Sequence, residues 1–211
     1  MRKLTQEEIA ARRLTLGELQ RVPRHPIYAV LDNIRSMWNV GSIFRTSDGA
    51  RVTKVILCGI TAQPPRPQIE KTALGSVEST PWMYYRETMD AIRDLKARGV
   101  RILVLEQTDE SVNLFDLAVE FPVALVVGHE VWGIQEAVLA EADYAAELPM
   151  YGVKHSLNVA VAYGIAVYEL VRQYQGKITA GGLVSGQRPG EQGKSALGAR
   201  GPYLPSVPLN E

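Results

Sequence analysis

Apolar residues along this chain gather in short continuous runs. The segments 27–31, 55–58, 100–105 and 123–127 are rich in β-branched residues, and a weaker run covers 144–148. Most lack polar alternation, which predicts strands buried on both faces. Between them the period lengthens to that of a helix over 40–47, 88–98, 134–141 and 156–173. Strands of this kind alternating with helices predict an α/β fold built on a parallel sheet. Near the start, Ile9, Arg13, Leu16 and Leu19 are loosely spaced as on one amphipathic helix within 5–21.

At 211 residues, with 46% hydrophobic and 22% charged residues, one domain with appendages is expected. Residues 1–24 read as a short N-terminal extension and 25–175 as the domain. Residues 176–211 read as a loose tail, since from Gln175 onward come eight of the 18 glycines and four of the 12 prolines. The single cysteine, Cys58, precludes an intrachain disulfide and points to a reducing compartment. With no apolar stretch of membrane-spanning length and no signal-like N-terminus, the expected location is cytoplasmic. A net charge of zero argues against a nucleic-acid partner, but its distribution does not. Residues 1–26 hold six Lys/Arg against three acids and residues 175–211 four against two, so basic ends flank an acidic middle.

The stretch LPMYGVKHSLNVAVAYGIAVYEL changes character at Ser156. Irregular loop precedes it, and afterwards Leu157, Val161, Gly164, Ile165 and Tyr168 recur on one helical face, so Ser156 is expected to cap a helix. Two further places lie where predicted strands end, which is where open α/β sheets bind ligands. In LDNIRSMWNVGSIFRTSDGA a helix is expected near Asn39, with Arg45 on a flank away from the core. In LVVGHEVWGI a buried strand runs into a Gly-bounded turn holding Glu130, a carboxylate suited to a cationic side chain or a ligand hydroxyl. That turn is neither a dinucleotide fingerprint nor a phosphate loop. His129 has no partner at metal-ligand spacing, so no metal is expected. Taken singly, these residues have plain structural explanations: Asn39 and Ser156 as caps, Arg45 as a surface ion pair, Asn158 as a polar helical residue.

Together, NVGSIFRTSDGA, VVGHEVWGI and LPMYGVKHSLNVAVAYGIAVYE resemble, in order and spacing, the three motifs of the SpoU or TrmH-type branch of the SPOUT RNA methyltransferases. The resemblance covers most of the chain, from about Ile27 to Leu170, and departs at Val131, where the family usually has glycine. It implies a parallel α/β sheet closed by a deep C-terminal trefoil knot, S-adenosyl-L-methionine as methyl donor, a homodimer, and transfer to a ribose 2′-hydroxyl of RNA without metal. The cofactor would lie among Leu105, Gly128, Ile134, Met150 and Leu157. Arg45 would bind the target phosphate and ease formation of the alkoxide, while Asn39, Glu130, Ser156 and Asn158 position the site. Trp38, Trp132 and Tyr151 are candidates for contact with RNA bases. A tRNA substrate is expected ahead of rRNA. The competing readings are a non-catalytic RNA-binding protein of the same fold and a metabolite-binding α/β enzyme.

Overall fold

A computed structural model describes residues 1–180. Among the described residues, seven strands form one sheet: β1 (His25–Asp32), β2 (Val52–Cys58), β3 (Trp82–Tyr85), β4 (Arg101–Leu105), β5 (Val112–Asn113), β6 (Val123–Val127) and β7 (Tyr144–Glu147). Their order is β3-β2-β1-β6-β4-β7-β5, and every pairing is parallel. The five expected strands are all present. β3 and β5 lie at the two edges, where half-exposed WMYY and the two-residue VN carry no buried run.

Among the described residues the α-helices are α1 (Gln6–Ala10), α2 (Leu16–Leu19), α3 (Met37–Gly49), α4 (Pro67–Ala73), α5 (Ser76–Ser79), α6 (Thr88–Ala97), α7 (Glu136–Leu139) and α8 (Val159–Ala180). Alternate strand residues feed two cores. Ala29, Leu31, Leu57, Leu103 and Leu125 pack with Ile43 and Phe44 of α3 and with Tyr163, Val167 and Leu170 of α8. Val30, Ile56, Ile102, Val104 and Val126 pack with Ile92 and Leu95 of α6 and with Val138 of α7. Burial of consecutive strand residues on opposite faces explains why these runs do not alternate. No helix among the described residues is long and apolar enough to cross a membrane.

The N-terminal segment forms two helices instead of the single one expected. Thr5 with Glu8 and Thr15 with Glu18 each make a complete capping box, so the second box restarts the chain as a new helix. Helix α8 begins at Val159, three residues after the expected cap, and runs five residues into the stretch read as tail. The remainder of that stretch, 181–211, lies outside the described residues. The buried face of α8 is made by Tyr163, Ala166, Val167 and Leu170, while the periodic apolar face noted in the sequence points outward, with Val161 and Tyr168 half-exposed.

At the opposite end of the sheet from the strand tips, His25 is buried and its Nδ1 lies 2.8 Å from the carbonyl of Ala50. Burial pushes the imidazole down to about 4, against the pull of that carbonyl and with help from the Arg51 charge. Below its ordinary value of 6.5, the unfolded chain takes up a proton that the folded chain refuses. The stability His25 lends as a neutral group is therefore complete above that value and is lost as pH falls toward 4, by up to a few kcal/mol. Urea midpoints of wild type and His25→Gln, measured from pH 7 to 4, are expected to converge as the wild type weakens. Parallel pH profiles for the two proteins would exclude this role.

Candidate active site

The sheet order sets the carboxyl ends of β1, β6, β4 and β7 side by side, and the three sequence motifs emerge there. After β1 the chain turns through Asn33 to Ser36, whose Oγ accepts the Asn39 N–H at 3.4 Å and caps α3. Asn39 is therefore not the cap, and its side chain is released for another task. Its Nδ2 donates to Glu130 Oε1 at 2.8 Å, and its Oδ1 accepts from Asn158 Nδ2 at 3.1 Å.

Glu130 does not hold a cation, contrary to one use expected of it. Its carboxylate accepts the N–H groups of Arg35 and Ser36 at 2.9 and 3.0 Å, together with the Asn39 amide. An anion set against free N–H groups at a helix start is favoured by both hydrogen bonding and dipole. Partial burial opposes ionisation, yet the Arg35 N–H, the Asn39 amide and the Ser36 N–H outweigh it and hold the carboxyl below its usual range. In Glu130→Gln the new amide must face at least one of these donors. We expect a lower melting temperature and a loss of about 1–2 kcal/mol in chemical denaturation; an unchanged denaturation curve would contradict it.

Asn158, not Ser156, caps α8. Its Oδ1 accepts the N–H groups of Ala160 and Val161 at 3.0 and 3.4 Å. A cap one step before the first helical residue satisfies these donors, whereas Ser156 is too far back to reach them. Ser156 is exposed and makes no hydrogen bond among the described residues. Asn158 thus caps and also connects, completing a relay Glu130–Asn39–Asn158 that joins all three motifs. Arg45, further along α3, is exposed, and its side chain has no hydrogen bond or ion pair among the described residues. The expected surface ion pair is not formed.

Of the residues expected around a cofactor, Leu105, Gly128 and Ile134 come together where β4 and β6 end. Met150 and Leu157 lie on the loop after β7, which Gln107 tethers by donating to the His155 carbonyl at 2.6 Å. The 128–134 turn is closed by reciprocal backbone bonds between His129 and Gly133 at 3.0 and 2.9 Å. His129 Nδ1 accepts the Val131 N–H at 3.0 Å, and its ring stacks on Trp132. Gly133 has φ of +68°, and a Cβ there would strike the Glu106 carboxylate. Val131, by contrast, has no left-handed backbone and is mostly exposed, so the turn has no need of the family's glycine there.

Glu106, Gln107 and Asp32 were not singled out from the sequence. Glu106 accepts the Ile134 N–H at 3.1 Å and bolts the turn to β4. Asp32 is completely buried at the tip of β1. Its carboxylate accepts Gln135 N–H, Gln135 Nε2, Thr88 Oγ1 and Asn33 Nδ2 between 2.6 and 2.9 Å. The only available signal was a carboxylate at the end of an apolar run.

Comparison with known proteins places the chain in a family. Residues 26–168 match the model of the SpoU rRNA Methylase family. The chain belongs to that family. It is 31% identical over 170 residues to a tRNA (guanosine(18)-2′-O)-methyltransferase of Thermus thermophilus, covering 79% of this chain and 85% of the relative. It is also 31% identical to a 23S rRNA (guanosine-2′-O-)-methyltransferase of a Burkholderia species, covering 74% of this chain and 62% of the relative. Among solved structures, the A. aeolicus TrmH/SpoU tRNA modifying enzyme matches with a TM-score of 0.69 at 29% identity, covering 78% of this chain and 86% of that one. The AdoMet-bound rRNA methyltransferase of Sinorhizobium meliloti gives 0.66 at 32%, over 73% and 59%.

Proposed function

We propose that this SpoU family member transfers a methyl group from S-adenosyl-L-methionine to a ribose 2′-hydroxyl of RNA, with tRNA as its substrate. The observation that carries the reading is the Glu130–Asn39–Asn158 relay, which fixes three motifs distant in sequence at one end of the sheet. The fuller overlap with the tRNA relative than with the rRNA relative supports tRNA.

The strand ends suit the cofactor. Leu105 and Ile134 offer apolar walls, and the N–H groups from Met150 to Leu157 have no backbone partner among the described residues, leaving donors for a polar ligand edge. The bound cofactor supplies an electrophilic methyl on a good sulfonium leaving group, so the protein's task is positioning and charge control. The Arg45 guanidinium pairs with the target phosphate and stabilises the developing alkoxide. Asn39, Glu130 and Asn158 hold the N-terminal turn of α3 against the start of α8, and so set the direction of the helix that carries Arg45 further along.

The second subunit completes this reading. Val161, Ile165 and Tyr168 form an outward apolar face on α8, and Trp132, Tyr151 and Val153 are exposed near the same strand ends. Exposed apolar side chains of this kind call for a partner, and a second copy lets Arg45 of one chain serve the cofactor of the other. The knotted path fits a β7 paired to β4, followed by a loop tied to Gln107 that crosses to α8 beneath β1 and β6.

The test is incubation with methyl-labelled S-adenosyl-L-methionine and total RNA from a strain lacking the protein. Label in alkali-resistant dinucleotides of the tRNA fraction is expected. Binding of RNA without label transfer into any fraction would leave the non-catalytic reading in its place.

A further inference from the structure

Beyond the relay, the same end of the sheet carries a concavity. The tips of β1, β2 and β3 and the exit of the 128–134 turn enclose an open cleft of about 290 Å³, lined by Asn33, Ile60, Tyr84, Arg86, Thr88 and Gln135. Its floor is fixed. Asn33, at φ +58°, accepts the Ile60 N–H at 3.0 Å and donates to Asp32, and Asp32 in turn holds Thr88 and Gln135. Tyr84 is braced by donating its hydroxyl to the Gly59 carbonyl at 3.0 Å. The rim is open: Ile60 is 62% exposed and Tyr84 37%, and the Arg86 side chain makes no hydrogen bond or ion pair among the described residues.

The cleft and the relay share two segments. Asn33 precedes by two residues Arg35, whose N–H holds Glu130, and Gln135 closes the turn that carries Glu130. An RNA strand placing its ribose near Glu130 and Asn39 therefore runs beside this cleft, which extends two strand spacings, about 10 Å, from β1 to β3.

We propose that the cleft is a subsite for an unpaired nucleotide flanking the methylated one; this rests on the RNA methyltransferase reading above. An aromatic ring and an apolar side chain beside an open guanidinium match a base and its phosphate, the combination by which proteins hold single-stranded RNA. Glu87 on the rim repels a phosphate from the interior, so the base enters while Arg86 meets the phosphate outside. The Gln135 side-chain oxygen, which accepts no hydrogen bond among the described residues, is left to read the base edge.

The test uses the full chain, labelled S-adenosyl-L-methionine and total RNA from a strain lacking the protein. Arg86→Ala and Tyr84→Ala are each expected to raise the apparent KM for RNA roughly tenfold, with the KM for S-adenosyl-L-methionine unchanged; the melting temperature should hold in Arg86→Ala and fall slightly in Tyr84→Ala, which loses the bond to Gly59. Wild-type KM for RNA in both variants overturns the subsite and leaves the enzyme reading standing. If wild type labels no RNA, that reading fails on its own, and photocrosslinking to 4-thiouridine-substituted RNA decides the subsite separately. Crosslinks in the peptides containing Ile60 or Tyr84 support it, and crosslinks confined to other faces overturn it.

Discussion

Replacing Arg45 with alanine is expected to lower methyl transfer about 100- to 1000-fold, the loss typical when one preorganised donor to a developing oxyanion is removed. Binding of S-adenosyl-L-methionine should change less than twofold, because Arg45 stands on α3, away from the 128–134 turn and the loop after β7. The fold should also persist, since the side chain is exposed and bonded to nothing among the described residues. Within one chain such an arginine has no evident purpose, and that is the argument for its working on a substrate. Arg45→Lys separates two forms of the idea. A lysine keeps the charge but loses the planar fork, so recovery of a tenth or more of the rate assigns the effect to charge, and no recovery assigns it to paired hydrogen bonding. Single-turnover label transfer and calorimetric cofactor binding are the measurements. Arg45→Ala within tenfold of wild type would remove Arg45 from the reaction.

The legible part of this fold was the part buried on both faces. β6, VALVV, was bounded to the residue because every side chain in it is buried and both flanks are turns. β3 escaped because Trp82–Tyr85 is an edge strand, stabilised by pairing with β2, which leaves little trace in composition. α4 and α5 escaped as short helices with few buried side chains, Ile69 and Ala73 on α4 and Ser76 on α5, too few to set up a helical period in the sequence. At the candidate site, motif order picked out Asn39, Glu130 and Asn158, but not the bonds that join them. A polar residue beside a helix start is equally compatible with capping and with a long-range bond, and only the fold decides. Ser156 and Asn158 show it most clearly: both sit in SLN, yet the side chain one position before Val159 meets the helix N–H groups and the one three positions before does not. Asp32 was invisible for a different reason. Its four donors come from segments separated by up to 103 residues, so nothing local marks it.

That dispersion makes Asp32 the position with the largest expected effect on stability. Asp32→Ala removes an acceptor from Gln135 N–H, Gln135 Nε2, Thr88 Oγ1 and Asn33 Nδ2 at a site with no exposed surface. Donors left buried and unpaired cost about 1–3 kcal/mol each. Local relaxation frees some of them to reach water, so a total loss of about 3–5 kcal/mol is expected, a large share of the marginal stability of a domain. Asp32→Asn is the sharper probe. It preserves volume and one oxygen, but turns an amide toward either the Gln135 N–H or the three donors on the other side. Two donors then face each other, and most of the loss should remain. Because Gln135 closes the turn that carries Glu130, both variants should also loosen the relay, so activity measured well below the melting temperature should fall even where the protein is fully folded. Urea denaturation paired with label transfer checks both parts. Asp32→Asn within 1 kcal/mol of wild type would show that the buried carboxylate is not what fastens β1, α6 and the 128–134 turn together.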